Sequence, residues 1–563
     1  MGAGIGARET GDTMTGDAGR ETERGEADDM TGVAYVAGRA PVRGVSGMVA
    51  AAHPSAAAAG AQVLRDGGNA FDAIVATAAA LNVCEPFMSG LAGNGLATLY
   101  SAREKRVRSL DFTPPVPLNF DPTSTTKRDI AAGPKAPGVP GNLAGWATIN
   151  ETYGTKPLGD LFKEAVRLAH VGVPVSTLYL RLLDFCLGQS YPAIWRETYL
   201  DPIGGKQVGS ILRQPLLGDT LEAIGAEGPG YLYGGPLGRT MTEHLQSIGG
   251  VISLEDLERV EARFLEPMQV DYRGLTIHTV PPPAESFQML LTLAMLSGVD
   301  IGSMDHLGSD HLDTVFRAIR ISAEMRLHHN KRPRAEIEGL FEAATLDRLR
   351  ARLLDGRPVI GRTEQWSSGP MPETDWTRQH TTSFSAADRE GNLICVTQTL
   401  GGIFGSGVVI PGTGVCMSNY LNWGDLEPDS PNFLEPGKAW ASVVAPTIGT
   451  VDGTGVLALG TPGSYGIMQT QTQAYIHHLD FGLDLQAAID APRARLWDGA
   501  RVELENRIPE RVVAELKRRG HAVDLAPPLT LNCGGMQAVS FDPSSGAMVG
   551  AADPRRDGAA IPA

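Results

Sequence analysis

The residues of this chain best suited to chemistry are two threonines eighteen positions apart, Thr381 and Thr399. Thr381-Thr382-Ser383-Phe384-Ser385-Ala386-Ala387-Asp388 reads as a strand that opens on a hydroxyl side chain. A turn at Gly391-Asn392 follows, then a second strand through Val396-Thr397-Gln398-Thr399. A threonine hydroxyl is a poor nucleophile without a base. One remedy is to cut the chain just before it. The freed α-amine, with an ordinary pKa of about 7.7–8.0, then serves as base to its own hydroxyl. A threonine pair taken alone also suits plain strand packing, because β-branched residues are common there.

The surroundings point to the chemical reading. In order along the chain stand Gly68-Asn69-Ala70-Phe71-Asp72-Ala73, Gly90-Leu91-Ala92-Gly93-Asn94-Gly95 and Leu110-Asp111-Phe112. Pro137-Gly138-Val139-Pro140-Gly141, the Thr381-Thr382 pair, Phe404-Gly405-Ser406-Gly407 and Ala445-Pro446-Thr447 follow. Gly460-Thr461-Pro462-Gly463, Ala491-Pro492-Arg493 and Gly550-Ala551-Ala552-Asp553-Pro554-Arg555 complete the set. The ordered set resembles the γ-glutamyltransferase family of N-terminal-nucleophile hydrolases, from about residue 45 to the end of the chain. The resemblance implies an α+β fold, a four-layer αββα sandwich forming one interlocked unit from a self-cleaved precursor. It also implies a large subunit over 44–380 and a small subunit over 381–563 that starts with the nucleophile.

Carried over residue by residue, the resemblance makes Thr381 both the self-processing residue and the nucleophile, with His380-Thr381 as the scissile peptide. Thr399 matches the family's second threonine, whose hydroxyl hydrogen-bonds the nucleophile. Gly463-Ser464 stands at the family's oxyanion loop. There, backbone N–H groups meet the charge that develops on the carbonyl oxygen. Ser464 replaces a second glycine but keeps its N–H. Read without the resemblance, the same residues are a turn.

The substrate-binding positions depart from the γ-glutamyl pattern. The arginine that clamps the substrate α-carboxylate is Thr113 here, and threonine cannot form a bidentate clamp. An asparagine two residues past the second threonine is Gly401. The group that holds the α-amine reads Asn419-Tyr420-Leu421-Asn422-Trp423, so Asn419 persists and two aromatics arrive. The carboxylate-binding serine pair is Ser442-Val443. The expectation is retained acyl-transfer machinery with changed specificity, Tyr420 and Trp423 suiting a flatter or more apolar acyl group.

Elements must hold these residues in place. A short strand is expected at 47–49 and helices at 56–65 and 70–83, with paired strands at 97–101 and 107–111. A Pro/Gly loop covers 134–141. Helices follow over most of 146–187, then at 216–224, 241–248, 254–263, 287–296, 306–329 and 347–354. Residues 357–379 have the composition of an exposed tether, suited to uncovering a new N-terminus. Beyond Thr381, alternating strands are expected as far as a helix at 470–479, then a helix at 509–519 and a strand at 536–541.

Composition excludes several classes. The net charge of −16 argues against a nucleic-acid surface, which needs a basic patch. No apolar run approaches the about 20 residues of a membrane span. Cys84, Cys186, Cys395, Cys416 and Cys533 are odd in number and lack C-x-x-C spacing, so buried free thiols are expected rather than disulfides or zinc. His328-His329 and His477-His478 lack partners at ligand spacing, and neither metal nor cofactor is expected. Residues 1–43 are polar and lack a signal-peptide apolar core, which reads as a disordered leader on a cytoplasmic protein whose starting methionine is not fixed. The expected partners are a small-molecule substrate and the two fragments of the precursor. Homo-oligomers of that heterodimer stay open.

The leading expectation is therefore a self-processing N-terminal-threonine hydrolase acting on a non-γ-glutamyl compound. The bond is an amide or a carbonyl-adjacent C–C bond of a small acyl or keto acid, within reach of antibiotic and other secondary-metabolite chemistry. The alternatives are a genuine γ-glutamyl hydrolase or transferase with an atypical pocket, and a non-catalytic homologue.

Overall fold

The computed structural model describes residues 39–189, 191–364 and 380–563. Most of the expected leader, and the tether beyond residue 364, lie outside the described residues. The ordered chain begins earlier than expected. Val42 and Arg43, assigned to the leader, belong to an edge strand Val42–Gly44 paired with Met548–Ala552. Edge pairing is made by backbone groups, so composition does not reveal it.

Two seven-stranded antiparallel sheets form the centre. The first runs, side by side, Ala559–Pro562, Gly47–Ala51, Thr382–Asp388, Leu393–Thr399, Asn94–Ser101, Arg106–Asp111 and Arg263–Leu265. The second runs Val42–Gly44, Met548–Ala552, Gln537–Phe541, Thr454–Gly460, Thr447–Val451, Leu275–Thr279 and Met268–Tyr272. Each sheet takes strands from both sides of position 381.

Strand alternation shows how the layers stack. Phe384, Ala386, Ile394 and Val396 enter one core with the helices Pro54–Arg65 and Ala70–Cys84. Their neighbours Ala387, Leu393 and Cys395 face Ile448, Ala458 and Val539 of the other sheet. The Thr382–Thr399 hairpin is thus buried on both faces, which is why it lacks an apolar/charged alternation. On the far side, the helices Phe287–Leu296, Ser309–His329 and Gly466–Leu479 pack on Ile277, Leu457, Leu459 and Ala538. The result is the αββα sandwich that the resemblance implied.

Local chemistry fixes the helix starts. Asn69 and Asp72 form a capping box at Ala70–Cys84. Pro54 opens Pro54–Arg65, with the His53 ring accepting from Ser55 N. All five cysteines are buried and free. Among the described residues no helix is long and apolar enough to cross a membrane.

Three expectations need correction. The helix expected over 254–263 stops at Glu258, and Arg263–Leu265 is an edge strand instead. The hairpin Met268–Tyr272/Leu275–Thr279 closes the second sheet where no strand was read. Residues 400–446 do not alternate as strands. Apart from isolated bridges and a short helical turn at Tyr420–Trp423, they form a long irregular stretch.

Candidate active site

Register brings the two threonines together. Thr382 pairs with Gln398 across the hairpin, so Thr381 and Thr399 lie at its open end. The Thr399 hydroxyl donates to the His380 carbonyl oxygen at 2.6 Å and accepts from the Gly401 N–H at 2.8 Å. Its hydrogen bond therefore falls on the carbonyl of the peptide expected to break. His380 and Thr381 are both buried in the uncut chain.

The other side of Thr381 is held by residues that sequence reasoning missed. Arg556 Nη1 donates to the Thr381 carbonyl at 2.8 Å and lies 3.9 Å from a Glu85 carboxylate oxygen. Both side chains are buried. Burial pushes the Glu85 carboxyl up to about 7, against the opposing pull of Arg556 and the Thr382 hydroxyl. The only sequence signals were position: Glu85 opens the segment leading to the glycine-rich turn, and Arg556 follows the Asp553-Pro554-Arg555 landmark.

The expected oxyanion loop follows the strand Thr454–Gly460, whose last residue packs on Ser383 of the strand Thr382–Asp388 so closely that a side chain there would collide. Gly463 takes φ +132°, a conformation strained for any residue with a β-carbon, and Ser464 takes a left-handed φ of +59°. The helix Gly466–Leu479 starts directly after, and Gly466 N donates to Gly463 O at 3.0 Å. Loop N–H groups at a helix start favour negative charge. Buried Arg495 clamps the loop from behind. It donates to Gly463 O at 2.5 Å and pairs with Glu364 at 2.8 Å.

Of the expected substrate-binding residues, three converge. The Tyr420 and Ser442 hydroxyls are 2.8 Å apart, and the Thr113 hydroxyl lies against Tyr420 and the Asp111 carboxyl. Burial lifts Asp111 to about 6, opposed chiefly by the hydrogen bond it accepts from the Thr113 N–H. Trp440 meets Tyr420 edge-on at 4.7 Å.

The other four sit differently. Trp423 and Val443 share one apolar cluster with Tyr420 and Trp440, and Trp423 packs against Tyr465, next to Ser464. Both ends of the Asn419 amide are committed to backbone, accepting from Gly402 N at 2.6 Å and donating to Ala131 O at 2.8 Å. Gly401 has φ +96° and lies so close to that amide that any β-carbon would collide with it. These two pin the loop beyond Thr399.

Among the described residues no group of three or more His, Cys, Asp or Glu side chains is arranged to hold a metal ion. The assembled parts are the Thr381 residue expected to attack, a donor on the carbonyl before it, a glycine loop at a helix start and a cluster of hydroxyls. That is equipment for acyl transfer.

Comparison with known proteins gives a consistent picture. A family model described as Gamma-glutamyltranspeptidase matches residues 56–563. The chain is 35% identical over 543 residues to the Acylase ACY 1 proenzyme of Pseudomonas sp. (strain SE83), covering 92% of this chain and 94% of that one. It is 29% identical over 540 residues to the Glutathione hydrolase proenzyme of Bacillus subtilis (strain 168), covering 92% of each. The crystal structure of cephalosporin acylase from Bacillus halodurans is similar, with a TM-score of 0.83 at 26% identity, covering 93% of this chain and 97% of that one.

Proposed function

The chain belongs to the γ-glutamyltranspeptidase family and is an N-terminal-nucleophile hydrolase or acyltransferase, and from that premise we propose that it cuts itself at His380-Thr381 and then hydrolyses an amide whose acyl group is not γ-glutamyl. The observation that carries the first half is the Thr399 hydroxyl at 2.6 Å from the His380 oxygen. Attack of Thr381 Oγ1 on the His380 carbonyl carbon places negative charge on that oxygen. A donor already aimed there stabilises the transition state more than the ground state. The intermediate collapses with loss of the Thr381 nitrogen to give an ester. That step frees the Thr381 amine, and water then cleaves the ester, releasing the His380 carboxylate and restoring the Thr381 hydroxyl.

In the second half of the proposal, Thr381 Oγ1 attacks the substrate carbonyl, with its own amine as base. Gly463 and Ser464 N–H groups and the Thr399 hydroxyl face the developing charge. The support for a non-γ-glutamyl donor is Thr113. With Tyr420 and Ser442 it offers neutral hydroxyls where an α-carboxylate needs a cation. Loss of such a clamp in a buried site costs a charged donor several kcal/mol. The 35% identity to an acylase proenzyme favours an amide over a C–C bond.

Intact-mass analysis of wild type beside Thr381→Ala tests the first half. Two fragments meeting at His380-Thr381 in wild type, and one chain of 59.6 kDa in the variant, are expected. A single uncut wild-type chain would overturn the reading in favour of a non-catalytic homologue. Hydrolysis of γ-glutamyl-p-nitroanilide faster than simple acyl anilides would overturn the second half.

A further inference from the structure

Asn94 starts the strand Asn94–Ser101 and pairs in register with Thr399. Residues directly opposite in an antiparallel pair project to the same face, so Asn94 stands on the Thr399 face of the sheet. It is 1% exposed, and neither its Oδ1 nor its Nδ2 has a hydrogen-bond partner within the protein. A buried amide with both ends unmatched carries a substantial desolvation cost. The Asn419 amide, by contrast, is matched at both ends.

Its surroundings place it beside Tyr420 and the turn at Thr113-Pro114. A β-carbon on Gly138 would lie 3.2 Å from Asn94 Nδ2 and 3.2 Å from Tyr420 Cβ. One on Gly141 would lie 2.7 Å from Asn94 Oδ1 and 2.7 Å from Pro114 Cδ. The amide therefore sits between the turn that carries Thr113 and the ring of Tyr420, and two glycines keep side chains away from it. On the Tyr420 side that hydroxyl pairs with Ser442, and in the turn the Asp111 carboxyl accepts from the Thr113 N–H.

Resting on the acylase reading above, we propose that Asn94 selects the acyl group, taking a chain with a neutral polar end that both donates and accepts hydrogen bonds, such as a primary carboxamide. An amide partner satisfies Oδ1 and Nδ2 together. A carboxylate satisfies only Nδ2, and it sets negative charge against Oδ1 and Asp111. A methyl end satisfies neither.

The test uses three p-nitroanilides of equal chain length, with glutaramoyl, glutaryl and pentanoyl acyl groups. Purified full-length wild type, Asn94→Leu and Asn94→Ala are first confirmed as cut by intact mass. Wild type is expected to show its highest kcat/KM on the glutaramoyl compound. Both variants are expected to lower the glutaramoyl-to-pentanoyl ratio about tenfold or more. A ratio unchanged in a cut and active variant, a wild-type preference for glutaryl, or a cut wild type that hydrolyses none of the three would overturn the role of Asn94 alone. An uncut wild type would overturn the acylase reading and this inference with it.

Discussion

Replacing Thr399 with valine removes one hydroxyl and almost no volume, so it isolates the hydrogen bond to His380 O. Two consequences can be worked out separately. The donor aimed at the developing oxyanion is lost, which costs about 2.7–4 kcal/mol in comparable sites and slows the step by about 10²–10³-fold. The Gly401 N–H, which now donates to Thr399 Oγ1 at 2.8 Å, is left buried and unpartnered. That lowers the stability of the fold by about 1–3 kcal/mol. Thr399→Ser keeps the hydroxyl and gives up only a methyl group. The assay is a time course of self-cleavage, followed by intact mass from freshly purified precursor and paired with thermal melts. Thr399→Val should cleave about 10²–10³ times more slowly than wild type while still melting cooperatively. Thr399→Ser should stay within about tenfold. Cleavage of Thr399→Val at the wild-type rate would refute the assignment of that hydroxyl to the scissile carbonyl.

Three more outcomes follow from the same structure. Gly463→Ala forces a β-carbon into φ +132°, a strain of about 1–3 kcal/mol; acyl turnover should fall sharply, whereas Ser464→Gly, which relieves a left-handed residue, should keep it, both read as kcat on a hydrolysable anilide. Arg493, Asp553, Arg555 and Glu505 form an ion network with fully buried side chains; Asp553→Asn leaves buried cations underpaired and should cost about 3–5 kcal/mol by denaturant unfolding of the uncut Thr381→Ala chain. His306, His311 and His477 pack together, with the His306 and His477 rings bonded at 2.9 Å, and burial holds all three below the usual imidazole range, His311 at about 3. Because the folded value lies below the unfolded 6.5, the unfolded chain binds protons first as pH falls. Stability is full above about 6.5 and lost progressively toward 3, His311 alone accounting for about 2 kcal/mol at pH 5. The melting temperature of the Thr381→Ala chain should drop over that window, and His311→Phe should flatten the slope.

The parts legible in the sequence were those written in local patterns. Asn69 and Asp72 announce a helix start, and an alanine-dense run continues it. The Thr381–Thr399 hairpin shows itself by hydroxyl and β-branched residues on either side of Gly391-Asn392. The departures from the family pattern at Thr113, Tyr420 and Ser442 could be located because landmarks fix their places. The irregular run over 400–446 was read as strands because valine, isoleucine and aromatic residues recur there. Their spacing is set by a winding backbone around the site, and no two-residue period underlies it. Glu85 and Arg556 escaped notice because their meeting depends on tertiary folding alone, each beside a motif that draws attention away. Trp423, expected to line the pocket, packs against Tyr465, the residue after Ser464, a contact its sequence position does not reveal.

Both sheets draw strands from either side of residue 381, and this has a bearing on the life of the molecule after the cut. The fold is reached as one covalent chain, for which every strand pairing is an intramolecular search. After the proposed cut at His380-Thr381, the same architecture would belong to two polypeptides threaded through each other. Unfolding then releases two molecules that must find each other again by diffusion, at a rate set by concentration. The bond lost in maturation takes with it the easy road back. Wild-type denaturation should be hard to reverse under conditions where the uncut Thr381→Ala chain refolds, and the working enzyme persists by the height of its unfolding barrier.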